Sequence, residues 1–170
     1  MPSLPFDIYG QLVKNAALRS PEQVEAFEDA LAQAAALDDP DVIPAVLGIL
    51  DDATEFPEVM YGVVHLVEDF PDVEYLPRLV AAAPELIAHA PGWAETLHKG
   101  ILNADDARAS YARILCEQSP QVRAAVNAFL DDLRTRKPQF DAKCRDVLAA
   151  QRDPLADPVL GVAACPVRDA

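Results

Sequence analysis

His65 and Glu68 lie three residues apart in a strongly apolar stretch, a spacing that places two side chains on one face of an α-helix. An imidazole beside a carboxylate can act as an acid/base pair or supply two ligands to a metal ion. Metal sites in proteins usually need at least three protein ligands. We therefore favour a hydrogen-bonded pair packed near the next helical hairpin, and an enzyme built around these two residues stays an alternative.

Other patterns that carry catalysis are missing from the sequence. It contains no Gly-rich phosphate loop, no GxSxG elbow and no HExxH helix. Its three histidines are scattered, and its three cysteines, Cys116, Cys144 and Cys165, lack the CxxC spacing of zinc sites. We predict a protein without catalytic residues, without a metal and without a cofactor.

The cysteines and the N-terminus also bear on the compartment. An odd number of cysteines argues against a disulfide framework, and the first residues lack the basic and apolar regions of a secretory signal. No uncharged apolar stretch approaches the roughly 20 residues of a membrane-spanning helix. The sequence therefore predicts a cytoplasmic protein.

The acidic residues are concentrated in one block of the chain. The net charge is −14, and no lysine or arginine occurs from Ser20 to Pro77, a stretch that holds fifteen acidic residues. The rest of the chain carries 13 acidic and 14 basic residues. Such a block repels nucleic acid and anionic membranes and attracts basic partners. The alternative is that these acids only keep the protein soluble.

Repeated helix starts organise the chain. A capping residue followed by proline marks several of them, and Ser20-Pro21-Glu22-Gln23 also has the pattern of a capping box. Apolar residues between these marks recur with helical spacing, and segment 57–69 is apolar on two adjacent faces, which predicts a central helix. The predicted helices cover roughly 6–18, 21–36, 41–51, 57–69, 73–89 with a possible break at Pro84, 91–102, 104–117, 120–135 and 138–150.

Short connections between these helices make neighbours antiparallel. We therefore predict an all-α fold of stacked antiparallel helical hairpins, with residues 1–151 as one helical-repeat domain and 152–170 as a proline-containing tail. Two Pro-Asp-Val segments, beginning at Pro40 and Pro71, suggest a HEAT-like right-handed α-solenoid. An irregular helical bundle is the alternative.

Three single residues have structural interpretations. Trp93 begins an apolar stripe and is predicted to lie in the core, although a binding hot spot is the alternative. Asn103 is predicted to cap the helix that follows it. Cys144 falls in an apolar stripe and is predicted to be a small core residue.

The stretch from Leu50 to Leu115 resembles a known family. Segments 51–60 (DDATEFPEVM), 64–70 (VHLVEDF), 91–95 (PGWAE) and 101–103 (ILN) are similar to the immunity protein 30 family of bacterial polymorphic toxin systems. His65, Glu68, Trp93 and Asn103 match residues that recur in it. Lys99-Gly100 departs from the family, which often has arginine directly before Ile-Leu-Asn.

The resemblance implies a cytoplasmic protein that neutralises a toxin delivered by sister cells. We hypothesise that it binds and occludes a toxin with a basic surface, and the alternative is a general helical-repeat scaffold without a toxin. In alternating hairpins, the turns near 38–41 and 68–74 should share one edge, with 51–58 on the other. The predicted contact residues are Asp38, Asp39, Asp41, Glu68, Asp69, Asp72 and Glu74.

Overall fold

A computed structural model of the chain describes residues 4–151, and within that range it contains helices and no strand. The all-α prediction is confirmed. The α-helices are α1 (Phe6–Asn15), α2 (Pro21–Ala35), α3 (Ile43–Leu47), α4 (Pro57–Glu68), α5 (Asp72–His89), α6 (Pro91–Asn103), α7 (Asp105–Glu117), α8 (Pro120–Arg136) and α9 (Asp141–Ala150), with 3-10 turns at Pro40–Val42 and Pro138–Phe140.

Helix starts follow the capping signals. The Ser20 hydroxyl accepts a hydrogen bond from the Gln23 N–H at 3.3 Å, and Pro21 occupies the first helical position of α2. The Gln23 side chain reaches back to accept from the N–H of Arg19 at 2.7 Å, one residue earlier than a standard capping box. Ser119 caps α8 in the same way. Local sequence therefore sets where these helices begin.

Several predicted helices differ from the structure: the first ends at Asn15 instead of residue 18, and the segment predicted as helix 138–150 begins with a 3-10 turn. The segment predicted as helix 41–51 begins with the 3-10 turn, and α3 ends at Leu47 because Gly48, a poor helix former, follows. The possible break at Pro84 is wrong, since α5 runs unbroken through Pro77 and Pro84. Its buried face, which includes Leu79, Val80, Ala83 and Leu86, packs along the whole length of the helix and outweighs the lost backbone bond.

Two compact units divide the chain between Ala94 and Glu95. In the first unit, α1 packs on α2, and α4 packs on α2, α3 and α5. Helix α4 buries five residues on two adjacent faces, in agreement with its apolar pattern. Gly62 allows α2 and α4 to approach closely, because a Cβ there would lie 2.7 Å from Leu31 Cδ2.

The second unit places α9 against α7 and α8. Cys144 is fully buried there, and Phe129, Leu130 and Leu133 contribute further core from α8. A single domain over 1–151 and the choice between solenoid and bundle stay predictions. The predicted tail, 152–170, lies outside the described residues.

Glu95 joins three cations of this second unit. Its side chain is 15% exposed, with Oε2 2.9 Å from Arg136 Nη1 and Oε1 3.3 Å from Lys99 Nζ and 3.9 Å from Lys137 Nζ. Burial raises the pKa of Glu95, but the bonds from Arg136 and Lys99 outweigh it and hold the pKa below its usual value. Lys99 therefore has an ionic role in the structure.

We expect Glu95→Gln to destabilise the protein by about 1 to 3 kcal/mol at neutral pH, because three cations lose their shared carboxylate. Because folding lowers the pKa of Glu95, this carboxylate stabilises the fold at pH values above its usual pKa of 4.5. The contribution is lost as pH falls through the lower pKa of the folded state. Denaturant titrations from pH 7 to pH 3 should show the two proteins converging in acid. Asp132→Asn, at an exposed partner of Arg136, is the control and should cost under about 0.5 kcal/mol.

Candidate partner-binding surface

Charge differs sharply between the two compact units. The first unit contains 17 acidic and three basic residues, whereas the second contains 11 of each. The entire formal charge of −14 therefore belongs to the first unit. Electrostatic attraction of a basic partner would act on this unit.

Ion pairing also differs between the two compact units. In the second unit, Glu95, Asp105, Asp131, Asp132, Asp141 and Asp146 all meet basic side chains. Within residues 4–151, the fifteen-acid block forms one ion pair, between Asp41 and Arg78. Most carboxylates of the block are consequently available to an outside cation.

The acidic edge is defined here as the two turns at 38–41 and 68–74, which hold the predicted contact residues. In the first turn, which follows the end of α2, Asp38 has a φ of 49° and an exposed side chain. Asp39 is half-buried, and its Oδ1 accepts a hydrogen bond from the Asp41 N–H at 2.9 Å. Asp39 therefore shapes the turn, while Asp38 and Asp41 face solvent.

The second turn connects α4 to α5. Glu68 ends α4, and Asp69 follows as its C-cap, so two carboxylates lie at the end of a helix where negative charge is unfavourable. Asp72 and Glu74 lie in the first turn of α5, where the helix dipole favours them. Glu68, Asp69 and Asp72 are exposed and Glu74 is half-buried.

Arg78 links the two turns. Its Nε lies 3.0 Å from Asp41 Oδ1, and its Nη1 donates to the Glu74 carbonyl at 2.9 Å. The first turn therefore lies beside the start of α5. Sequence reasoning missed this arginine because it comes directly after the base-free block and offers no local signal of the contact.

Tyr75 lies beneath the second turn. It is 4% exposed, and within the described residues its hydroxyl has no hydrogen-bond partner. Burial raises the pKa of Tyr75, and the carboxylates of Glu68 and Asp72 raise it further, so its hydroxyl stays protonated. Burial also raises the pKa of Glu68, which nearby His65 lowers and Asp69 raises. The Tyr75 hydroxyl without a hydrogen bond and the partly desolvated Glu68 carboxylate therefore both reduce stability.

Trp93 and the loop before α4 form a separate contact. The Asp52 carboxylate accepts hydrogen bonds from the N–H groups of Gly92 at 2.8 Å and Trp93 at 3.1 Å, and so caps α6. The indole Nε1 donates to the Asp51 carbonyl at 3.1 Å. A Cβ on residue 92 would lie 2.9 Å from Asp52 Oδ1, so glycine fits this close approach.

Residues 14–111 match a family model described as immunity protein 30. The chain belongs to the immunity protein 30 family. The match covers more than half of the sequence and contains the whole acidic block, the Asp52 cap of α6 and Trp93. The chain matches no curated protein and no solved structure.

The residues that the sequence analysis singled out from the family resemblance occupy different environments. Trp93 is 6% exposed, whereas His65 and Glu68 face solvent on α4. The predicted hydrogen bond between His65 and Glu68 is wrong, since none joins them in the described structure, and their interaction is only electrostatic. Because both side chains are exposed, water can solvate each of them separately.

Asn103 does not have the predicted capping role. It is the last residue of α6, and Ala104 occupies the N-cap of α7 without a side-chain bond. The Asn103 Oδ1 instead accepts a hydrogen bond from Lys143 Nζ at 2.6 Å. The reason is that α6 continues one residue further than predicted, so the next helix begins after Ala104.

Among the described residues, no group of three or more His, Cys, Asp or Glu side chains has the arrangement to hold a metal ion. The helices in this range also include none with the length and hydropathy needed to cross a bilayer.

We expect Glu68→Gln to stabilise the protein by up to about 0.5 kcal/mol at pH 7. The raised pKa of Glu68 means that ionisation of this carboxyl destabilises the fold. The natural protein therefore gains stability as pH falls through the folded-state pKa. Below the usual pKa of 4.5, the advantage of the Gln variant disappears. Urea titrations at pH 7 and pH 4 measure both effects. Glu58→Gln, at the opposite end of α4 where the dipole favours a carboxylate, should not stabilise.

Proposed function

We propose that this chain is an immunity protein that neutralises a cognate bacterial toxin by binding it through the acidic edge and occluding it. The observation that carries the proposal is the fifteen-acid block, which forms a single ion pair within residues 4–151, in a member of the immunity protein 30 family. Carboxylates left without internal counterions are available to the arginine and lysine side chains of a partner.

Apolar side chains beside the carboxylates support a protein as the partner. Leu37, next to Asp38, is 40% exposed, and Val73, between Asp72 and Glu74, is 79% exposed. Protein interfaces combine buried apolar contacts with charged residues around them. The same charge disfavours nucleic acid and anionic membranes as partners. We place this activity in the cytoplasm and assign it no catalytic step.

Toxins that act on nucleic acids need basic surfaces for their substrates. An acidic protein seated on such a surface would exclude the substrate by charge and by bulk. Attraction between the opposite charges would also raise the association rate and make binding sensitive to ionic strength.

The proposal predicts a toxin effector gene directly upstream of this one, and it is tested by co-purification with the C-terminal domain of that effector. We expect a stoichiometric complex whose affinity falls steeply between 50 and 500 mM NaCl, together with loss of the effector's toxicity on co-expression. A control effector domain from an unrelated locus should not bind. No complex, or a complex that leaves toxicity intact, would refute the proposal, and an affinity insensitive to salt would refute the acidic edge as the contact.

A further inference from the structure

Helix α4 presents one solvent-exposed stripe, defined here as Glu58, Tyr61, His65 and Glu68. Their spacing of three, four and three residues places them along one helix face. All four are exposed, whereas Met60, Val63, Val64, Leu66 and Val67 fill the core from the remaining faces. The α4 stripe therefore consists of two rings with a carboxylate at each end.

The Tyr61 ring packs against Trp93, which holds it in place. Its centroid lies 4.9 Å from that of Trp93 at an interplanar angle of 78°, an edge-to-face contact. Trp93 is itself fixed by its indole bond to the Asp51 carbonyl and by the Asp52 carboxylate. Tyr61 nevertheless stays 42% exposed. The stripe thus offers a preorganised aromatic surface, which lowers the entropic cost of binding.

Charge complementarity identifies what this surface would receive. Two of the four stripe residues are carboxylates, no lysine or arginine lies on α4, and the compact unit around it carries the whole −14 charge. An aromatic face attracts a cation, and a planar guanidinium can stack on the ring while it donates two parallel hydrogen bonds to a carboxylate. A lysine ammonium lacks this combination.

We propose that the α4 stripe binds an arginine side chain of the basic partner, with the guanidinium on Tyr61 and its N–H groups on Glu58, one helical turn away. This inference rests on the proposed function for the identity of the partner and adds a contact that the acidic edge does not contain. Glu68 belongs to both surfaces, so the stripe adjoins the edge. Aromatic anchors of this kind commonly dominate interface energetics.

The first test uses synthetic peptides and needs no toxin. Trp93 is the only tryptophan, so its fluorescence reports on cations that bind at Tyr61. We expect hexa-arginine to bind several-fold more tightly than hexa-lysine at equal ionic strength and to change the emission. Tyr61→Leu, which still covers Trp93, should weaken hexa-arginine about tenfold, and Tyr61→Phe should keep the natural affinity.

Phe6→Leu is the matched control, because Phe6 is an aromatic residue that is 90% exposed on α1, outside the stripe. It should leave the titration unchanged. Thermal unfolding of each variant checks that the fold is intact. Equal binding of the two peptides, or an unaltered titration with Tyr61→Leu, would overturn the proposal.

The second test separates this inference from the proposed function. The upstream effector's C-terminal domain should bind Tyr61→Leu at least tenfold more weakly than the natural chain, mainly through faster dissociation. If Tyr61→Leu binds normally while salt still releases the domain, the arginine site on the α4 stripe is refuted and the proposed function stands. If the domain does not bind the natural chain, the proposed function fails, and the peptide titration alone decides the stripe.

Discussion

Reversal of Asp69, Asp72 and Glu74 to lysine should abolish protection against the toxin and leave the helix content intact. The change moves the charge of the acidic edge by six units, so a basic partner meets repulsion where it met attraction. Effects on stability should be modest. Lysine at 69 suits the C-terminus of α4, whereas lysine at 72 and 74 opposes the dipole of α5 by about 0.3 to 1 kcal/mol each.

The matched control reverses Glu25, Glu28 and Asp29 on α2. These residues belong to the same acidic block, are exposed, and form no ion pair within the described residues. Survival of cells that co-express the toxin, together with far-UV circular dichroism, measures both variants. Protection retained by the triple change at 69, 72 and 74 would refute this edge. If the α2 control loses protection equally, binding depends on the total negative charge of the protein and not on the acidic edge.

Trp93→Ala should cost about 3 to 5 kcal/mol of unfolding free energy, the largest stability effect we expect from a single substitution here. The residue is 6% exposed, so its truncation leaves a cavity, removes the indole bond to Asp51 and takes away the edge-to-face contact with Tyr61. A loss of this size is a large share of the 5 to 15 kcal/mol that typically stabilises a domain.

Trp93→Phe separates packing from the hydrogen bond. It should cost less than half as much, since most of the ring volume is kept and only the indole N–H is lost. Urea denaturation at 25 °C, followed by circular dichroism, compares the two variants with the natural chain. If Trp93→Ala unfolds at the natural midpoint but no longer binds the effector domain, Trp93 acts at the interface and not in the core.

Helix positions were predictable because their signals are local. Proline after a capping residue marks the starts of α2 and α8, and apolar spacing reveals the double-faced α4. The missed details depend on contacts across the chain. The continuity of α5 through Pro84 comes from packing along its buried face, which a local rule for proline does not include.

The candidate site was predictable in composition but not in its internal bonds. Fifteen acids without a base are visible in the sequence, and so is the position of the two turns. The pairing of Asp41 with Arg78 and the capping of α6 by Asp52 join residues 37 and 40 or more positions apart, and neither has a short-range signal. Tyr61 was missed because its contact with Trp93 joins residues 32 positions apart.

The Asp41 contact makes the two turns unequal in the charge that they offer. An arginine that approaches Asp41 must compete with Arg78, while one that approaches Asp69 or Asp72 meets a carboxylate without such a rival in the described structure. Under the proposed function, two toxins of identical net charge would consequently differ in affinity according to where their cations lie. Discrimination between closely related toxins can therefore arise from an intramolecular competitor as well as from contacts across the interface.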